Sequence, residues 1–426
     1  MIPCMPSSNS SFTAPSTRVL SFEEARHLVE QHALGVRPGE LETVDLLAGL
    51  GRVLAEGIVA DRDFPPFARA TRDGYAVRAA DLAELPARLE VRGEVKAGDW
   101  PELGKCAVGN GKAVGIMTGA PLPEGADAVV MAEYTSLVDK TAGTAVEVEI
   151  QRGVKPGENF VPRGAEARTG QLLLDRGRRL DHAGIAIAAS AGKSRVQVFR
   201  KPRVAVLSTG DEVVEIDAAP GPAQIRNSNS YSLAAQVQEA GGDPVRLAIA
   251  PDERGRLREL IEEGLGCDLL LLAGGVSMGK YDLVEQVLGE LKAEFYFTGA
   301  EIQPGRPVVF GSCGKKYFFG LPGNPVSTMV TFELFARPMI EASAGITPQP
   351  LIFLRARLKS EIRTKTGLKR FLPAVLSGEF ENAEVELARW QGSGDIAALA
   401  RANCYVVIPP DRERIEAGEL VPVLMR

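Results

Sequence analysis

The chain has 426 residues, 45% of them hydrophobic and 24% charged, which is the make-up of a soluble folded protein of roughly two to four domains. A formal net charge of −6 argues against broad nucleic-acid binding, which needs a basic face, and no apolar run approaches the roughly 20 residues of a membrane span. Five scattered cysteines without a C-x-x-C pair point to reduced thiols in a cytoplasmic protein, and three histidines leave any metal to carboxylate and water oxygens, which suits magnesium.

Residues 1–17 are rich in Ser and Pro, lack the charged and apolar regions of a secretory signal, and read as a disordered lead-in. Ser21 and Glu24 form a capping-box pattern that predicts a helix over Phe22–Ala33. A second helical pattern, Thr43 to Leu54, leads to an extended loop through Pro65 and Pro66. Short β runs follow at Leu89–Val95, Ala113–Thr118, Ala128–Glu133 and Ala145–Ile150, a small β-rich module, before the pattern turns helical over Gly170–Ala191. Apolar runs at Val204–Leu207, Val245–Ile249, Leu269–Leu272 and Lys316–Phe319 then alternate with helical patterns at Leu233–Glu239, Arg256–Glu263, Asp282–Leu291 and Val326–Ile340. That rhythm predicts a parallel sheet with helices on both faces. The tail, with alternation at Phe353–Leu358, Phe371–Leu376, Ala383–Ala388, Cys404–Ile408 and Leu420–Leu424, predicts a small β-barrel.

In a parallel sheet the loops leaving the strand C-termini gather at one edge, where ligands bind. Four loops fall there: Ser208-Thr209-Gly210-Asp211-Glu212, the turn at Asp252, Gly274-Gly275-Val276-Ser277 through Asp282, and Leu321-Pro322-Gly323-Asn324-Pro325. Hydroxyls and backbone N–H groups at such turns cradle anions, and glycines allow close backbone approach. Two carboxylates directly after Gly210 would repel a bare phosphate, so a bridging divalent cation is the sensible partner. Ordinary structural roles stand beside these readings: a polar turn at Ser208–Glu212, a helix cap at Asp282, Asp252 or Asn324.

Asp73-Gly74-Tyr75-Ala76-Val77, Met117-Thr118-Gly119-Ala120-Pro121, Ser208-Thr209-Gly210-Asp211-Glu212, Gly274-Gly275-Val276-Ser277 and Leu321-Pro322-Gly323-Asn324-Pro325-Val326-Ser327 occur in the order of one family. From about residue 18 onward the chain resembles the molybdopterin molybdenumtransferases, the MoeA and gephyrin E-domain family. The resemblance implies a multidomain α/β homodimer that inserts molybdate into adenylylated molybdopterin with release of AMP, using magnesium; the molybdopterin adenylyltransferase is a possible partner. Its implied organisation is a disordered N-terminus at 1–17 and a helical/extended dimerisation domain at 18–61 and 155–199. A β-rich lid at 62–154, an α/β pterin-binding domain at 200–345 and a C-terminal β-barrel at 346–426 complete it.

Matched position by position, Asp73, Thr118, Glu212, Asp252, Asp282, Arg306, Arg370 and Ser393 are implied as catalytic. Glu212 and Asp282 would hold magnesium, and Arg370 and Ser393 molybdate. Ser208, Thr209, Gly210, Gly274, Gly275, Ser277, Pro322, Gly323 and Asn324 would bind the pterin. The family usually has Lys-Pro-Gly-Lys-Pro where this chain has Gln303-Pro304-Gly305-Arg306-Pro307, and commonly an Asp at Glu166. Arg306 keeps a cation while Gln303 loses one. The alternatives are a pterin-binding scaffold with weakened chemistry and a relative that prefers tungstate.

Overall fold

The computed structural model describes residues 18–100, 106–138, 146–275 and 283–426. The described residues divide into two compact units: one holds those from 18 to 55, 177–181 and from 196 onward, the other those within 56–176 and 182–195. Residues 18–61, grouped with 155–199 in the sequence reading, are therefore split between them.

The larger unit is built on a six-stranded sheet in the order Asp243–Arg246, Arg203–Ser208, Leu269–Ala273, Lys316–Leu321, Val309–Cys313, Glu294–Phe297. The first four strands are parallel, as the apolar runs predict. Strands covered on both faces read as continuous apolar runs, and Val204–Leu207 and Leu269–Leu272 are fully buried. The two remaining strands, which the sequence reading lacked, extend the sheet by antiparallel pairing, so Val309–Cys313 alone runs against the others.

The edge strand lies two residues earlier than Val245–Ile249. Asp243 donates its N–H to the Pro202 carbonyl and opens the parallel register, and Pro244 is tolerated because this is an edge. The helix expected at Leu233 begins at Ser228, where Asn227 caps it: Asn227 Oδ1 accepts the Ser230 N–H at 3.1 Å.

Two helical expectations give way to strand. Thr43–Leu54 holds the strand Leu41–Asp45 and one 3-10 turn, Leu46–Gly49, because Leu41–Asp45 pairs with Arg195–Phe199 and leaves Leu47 and Leu50 exposed. In the smaller unit, Gly170–Ala191 splits into the strand Leu172–Leu174, paired with Ile58–Val59, and the helix His182–Ser190. The rest of that unit is a six-stranded sheet in the order Ala128–Met131, Gly74–Val77, Lys112–Ile116, Ala87–Val95, Glu147–Ile150, Thr135–Val138. Its two faces carry separate apolar cores around Val114 and Val148.

The five tail strands lie close to the predicted runs and form a ring. Lys369–Ser377, Glu384–Leu387, Phe353–Leu358, Leu420–Met425 and Cys404–Ile408 pair in turn, and Cys404–Ile408 closes back onto Lys369–Ser377. Closure removes the exposed edges of so small a sheet. The barrel joins the α/β sheet region through Ile302-Gln303, which pairs in parallel with Lys369-Arg370.

The capping box at Ser21 and Glu24 is present in both halves, and its helix, Phe22–Leu34, packs into the core of the α/β unit. Arg26 explains part of this. The helical stretch after Pro325 runs to Ser343 with a wider π-type segment at Phe332–Ala336 just before Pro338. Proline has no N–H to offer the Leu334 carbonyl four residues back. Arg26, 7% exposed, donates to that carbonyl from Nη1 at 2.6 Å while its Nε meets Glu30 at 2.6 Å. Arg26→Met keeps the aliphatic bulk but strands a buried carbonyl and Glu30. It is expected to lower the stability of this unit by about 2–3 kcal/mol, with Arg26→Lys intermediate, as read by urea denaturation.

Candidate functional site

The parallel register brings three loops level. Ser208 is opposite Ala273, and Ala273 is opposite Leu321, so Thr209, Gly274 and Pro322 leave the sheet side by side. Backbone bonds fix them: Thr209 N–H to the Ala273 carbonyl at 3.1 Å, Gly274 N–H to that of Leu321 at 3.1 Å. Gly210 has φ +126, and a Cβ there would lie 2.3 Å from Glu212 Oε2, so the Glu212 carboxylate folds over a position only glycine fits. Gly274, at φ +93, likewise has no room for a Cβ, which would meet the Thr209 carbonyl oxygen at 2.9 Å.

The opposite wall is the start of the helix Ser228–Glu239. The Ser208 hydroxyl donates to Asn227 Oδ1 at 2.9 Å, and Asn229 Nδ2 donates to the Gly323 carbonyl at 2.7 Å. Thr328, fully buried, donates its hydroxyl to the Pro322 carbonyl and holds the Pro322-Gly323-Asn324 turn from behind. These groups enclose a cavity of about 410 Å³, lined by Ser208, Thr209, Glu212, Gly274, Pro322, Gly323, Asn324 and the 225–229 segment. Two polar atoms in its lining residues, Thr209 Oγ1 and Asn229 Oδ1, are buried without a hydrogen-bond partner among the described residues. Each such atom costs about 1–3 kcal/mol until something bonds to it, which marks the cavity as built for a polar guest.

A second cavity of about 650 Å³ adjoins the first and shares Pro307, Pro322 and Asn324 with it. Gln303, Arg306, Ser327, Trp390 and Ser393 line it. Ser393 is held there because its carbonyl accepts the Val326 N–H at 2.9 Å, and because Asp395 ties its loop down. The Asp395 carboxylate accepts the N–H groups of Ala398 at 3.0 Å and Gln391 at 3.1 Å, and these bonds hold it below the usual carboxylate range. Arg370 stands opposite Gln303 in the strand pairing, 6% exposed, and donates to the carbonyl of Leu368, which lines the same cavity. Burial lowers its guanidinium pKa from the ordinary value.

Of the expected residues, Ser208, Thr209, Glu212, Gly274, Pro322, Gly323 and Asn324 thus line one cavity, and Arg306 and Ser393 its neighbour, with Asn324 and Pro322 common to both. Asp252 is exposed outside these linings, its N–H bonded to Asp211 Oδ1 at 3.0 Å. Asp73 and Thr118 belong to the smaller unit and meet each other there: the Thr118 N–H donates to Asp73 Oδ1 at 2.6 Å and lowers the Asp73 pKa. Glu166 in the same unit pairs with Arg69 at 3.2 Å. Ser277 and Asp282 lie outside the described residues.

Among the described residues, Glu212 is the only carboxylate lining the first cavity, and no three acidic, His or Cys side chains cluster as a metal cage. That donor set fits magnesium held by one carboxylate, waters and substrate phosphate, the usual arrangement for this ion at phosphate sites. The sequence reading missed Arg226, Asn227, Ser228 and Asn229, and on the other side Ser327 and Trp390. The signal for the first group was present: an Asn followed by a polar stretch is a helix start, and placing it at Asn227 puts the next residues at the sheet edge.

Comparison with known proteins matches three family models to the chain. Residues 20–192 match the MoeA N-terminal region (domain I and II), 205–342 a probable molybdopterin binding domain, and 355–425 the MoeA C-terminal region (domain IV). The molybdopterin molybdenumtransferase of Nostoc sp. is 36% identical over 90% of this chain and 88% of its own length. That of Bacillus subtilis is 34% identical over 91% and 90%. Among solved structures, a moeA protein from Pyrococcus horikoshii OT3 superposes with a TM-score of 0.75 at 30% identity, covering 96% of this chain and all of that one.

Proposed function

The chain belongs to the molybdopterin molybdenumtransferase family of molybdenum cofactor biosynthesis, and from that premise we propose that it inserts molybdate into adenylylated molybdopterin and releases AMP. One observation carries the reading: two cavities, one with the N–H and hydroxyl groups that suit a pterin phosphate, the other with a cation, Arg306, and hydroxyls that suit an oxyanion, meet at the Pro322–Asn324 wall. A transfer between two bound substrates requires such contiguity.

In the first cavity the chain supplies position. Ser208, Thr209 and the Gly323–Asn324 turn frame the pterin, and Glu212 is placed to hold magnesium. When bound, that ion would neutralise charge on the phosphoanhydride as it is cleaved. In the second cavity Arg306 and Ser393, with Arg370 behind them, hold a tetrahedral dianion through charge-assisted hydrogen bonds. The roles of Asp73, Thr118, Asp252 and Asp282 in the reaction belong to the same proposal.

The proposal extends to a homodimer in the cytoplasm, supplied with substrate by an adenylyltransferase. Free thiols at all four described cysteines support a reducing compartment. Among the described residues no helix is long and apolar enough to cross a membrane. Sedimentation equilibrium is expected to give twice the 45.5 kDa chain mass, and a monomer at assay concentration would contradict the dimer.

Purified protein with adenylylated molybdopterin is expected to release AMP only when magnesium and molybdate are both present, with tungstate tested in parallel. Gln303 and Arg306 offer one cation where the family resemblance implies two, so Gln303→Lys should lower the molybdate concentration for half-maximal insertion several-fold, with little change in maximal rate. A maximal rate that rises from almost nothing in that variant would instead identify the wild-type chain as a pterin-binding scaffold.

A further inference from the structure

We propose, resting on the reading of the first cavity as the pterin site, that Arg226 and the first turn of the helix Ser228–Glu239 bind the phosphate of the substrate. Among the described residues, Arg226 is the only Lys or Arg lining that cavity. It is exposed, and it forms no ion pair among the described residues. Its backbone is fixed on both sides: Ile225 donates to the Glu212 carbonyl at 2.8 Å, and Asn227 to that of Val214 at 2.8 Å. The pairing of Ile225-Arg226 with Val213-Val214 thus holds the guanidinium-bearing residue at the cavity mouth, directly before a helix of 12 residues.

The helix start contributes donors. Asn227 Oδ1 is committed to the Ser230 N–H, which leaves the N–H groups of Ser228 and Asn229 without helical acceptors. A phosphate is the guest such a terminus favours. An independent observation points to the same kind of ligand. Thr209 is 5% exposed, lines the cavity, and has a hydroxyl without a partner among the described residues, a donor waiting for an oxygen.

The opposing groups are consistent with this placement. Glu212 is the one carboxylate of the lining among the described residues, and a phosphate beside it needs a cation on its other flank, which Arg226 supplies. The bond from Asn229 Nδ2 to the Gly323 carbonyl fixes the amide, and its Oδ1 is an acceptor only. That oxygen suits an N–H edge of a heterocycle and not a phosphate oxygen.

The test uses two probes, molybdopterin and its dephosphorylated form, titrated anaerobically by calorimetry into the full chain. Wild type should bind the phosphorylated probe roughly tenfold more tightly or better. Arg226→Gln should reduce that preference by roughly three- to tenfold and leave the dephosphorylated probe unchanged, while Arg226→Lys keeps part of it with a steeper salt dependence. An Arg226→Gln protein that retains the full preference, or that loses affinity equally for both probes, overturns the assignment of Arg226 alone. If wild type binds neither probe, the pterin reading itself falls, and this assignment with it.

Discussion

The register of three parallel strands is the constraint on which the site depends. Because Ser208, Ala273 and Leu321 are level, the residues that follow them emerge at one height, and their hydrogen-bonding groups converge. A slip of one residue in any of these pairings would turn the alternate side chains to the other face and separate the loops. The strands resist that slip because both faces are buried: Leu269–Leu272 contact apolar cores on each side of the sheet. Packing energy of the core is thus what holds the polar groups of the edge in place.

Above that platform, the chemistry is mostly neutral. Gly274 lets its loop approach the Thr209 backbone to a distance a Cβ would forbid, Gly210 leaves room for the Glu212 side chain, and the Pro322 turn is fixed by Asn229 from the front and Thr328 from behind. Fixed dipoles of this kind need no reorganisation when charge develops, which is the main way a protein can assist transfer of a metal oxyanion. Among the described residues, formal charges are few and placed at the ends: Glu212 and Arg226 at one cavity, Arg306 at the other.

The parts of this arrangement legible in the sequence were those with a strong local signal. Doubly buried strands announce themselves as apolar runs, the Ser21–Glu24 box as a helix start, and the tail as evenly spaced alternation. The helical pattern at Thr43–Leu54 misled because its strand is fixed by a partner some 150 residues away, which no local window contains. The same is true of Arg26, whose acceptor is made available by a proline in a distant helix. Arg370, named through the family resemblance, is placed beside Gln303 by the pairing of a barrel strand with Ile302-Gln303, a relation between segments that spacing cannot express. Arg226 and Asn229 were hidden for a smaller reason, a helix start read five residues late.

The central claim is that the oxyanion and the pterin occupy adjoining cavities separated by one shared turn. Crystals of the protein soaked in tungstate, a heavy isostere of molybdate, test it through the anomalous signal of the metal. The account predicts a single strong site among Gln303, Arg306 and Ser393, on the far side of Pro322 from Thr209. A metal site beside Thr209 and Gly274 instead, or none at the Arg306 cavity at saturating tungstate, would contradict it.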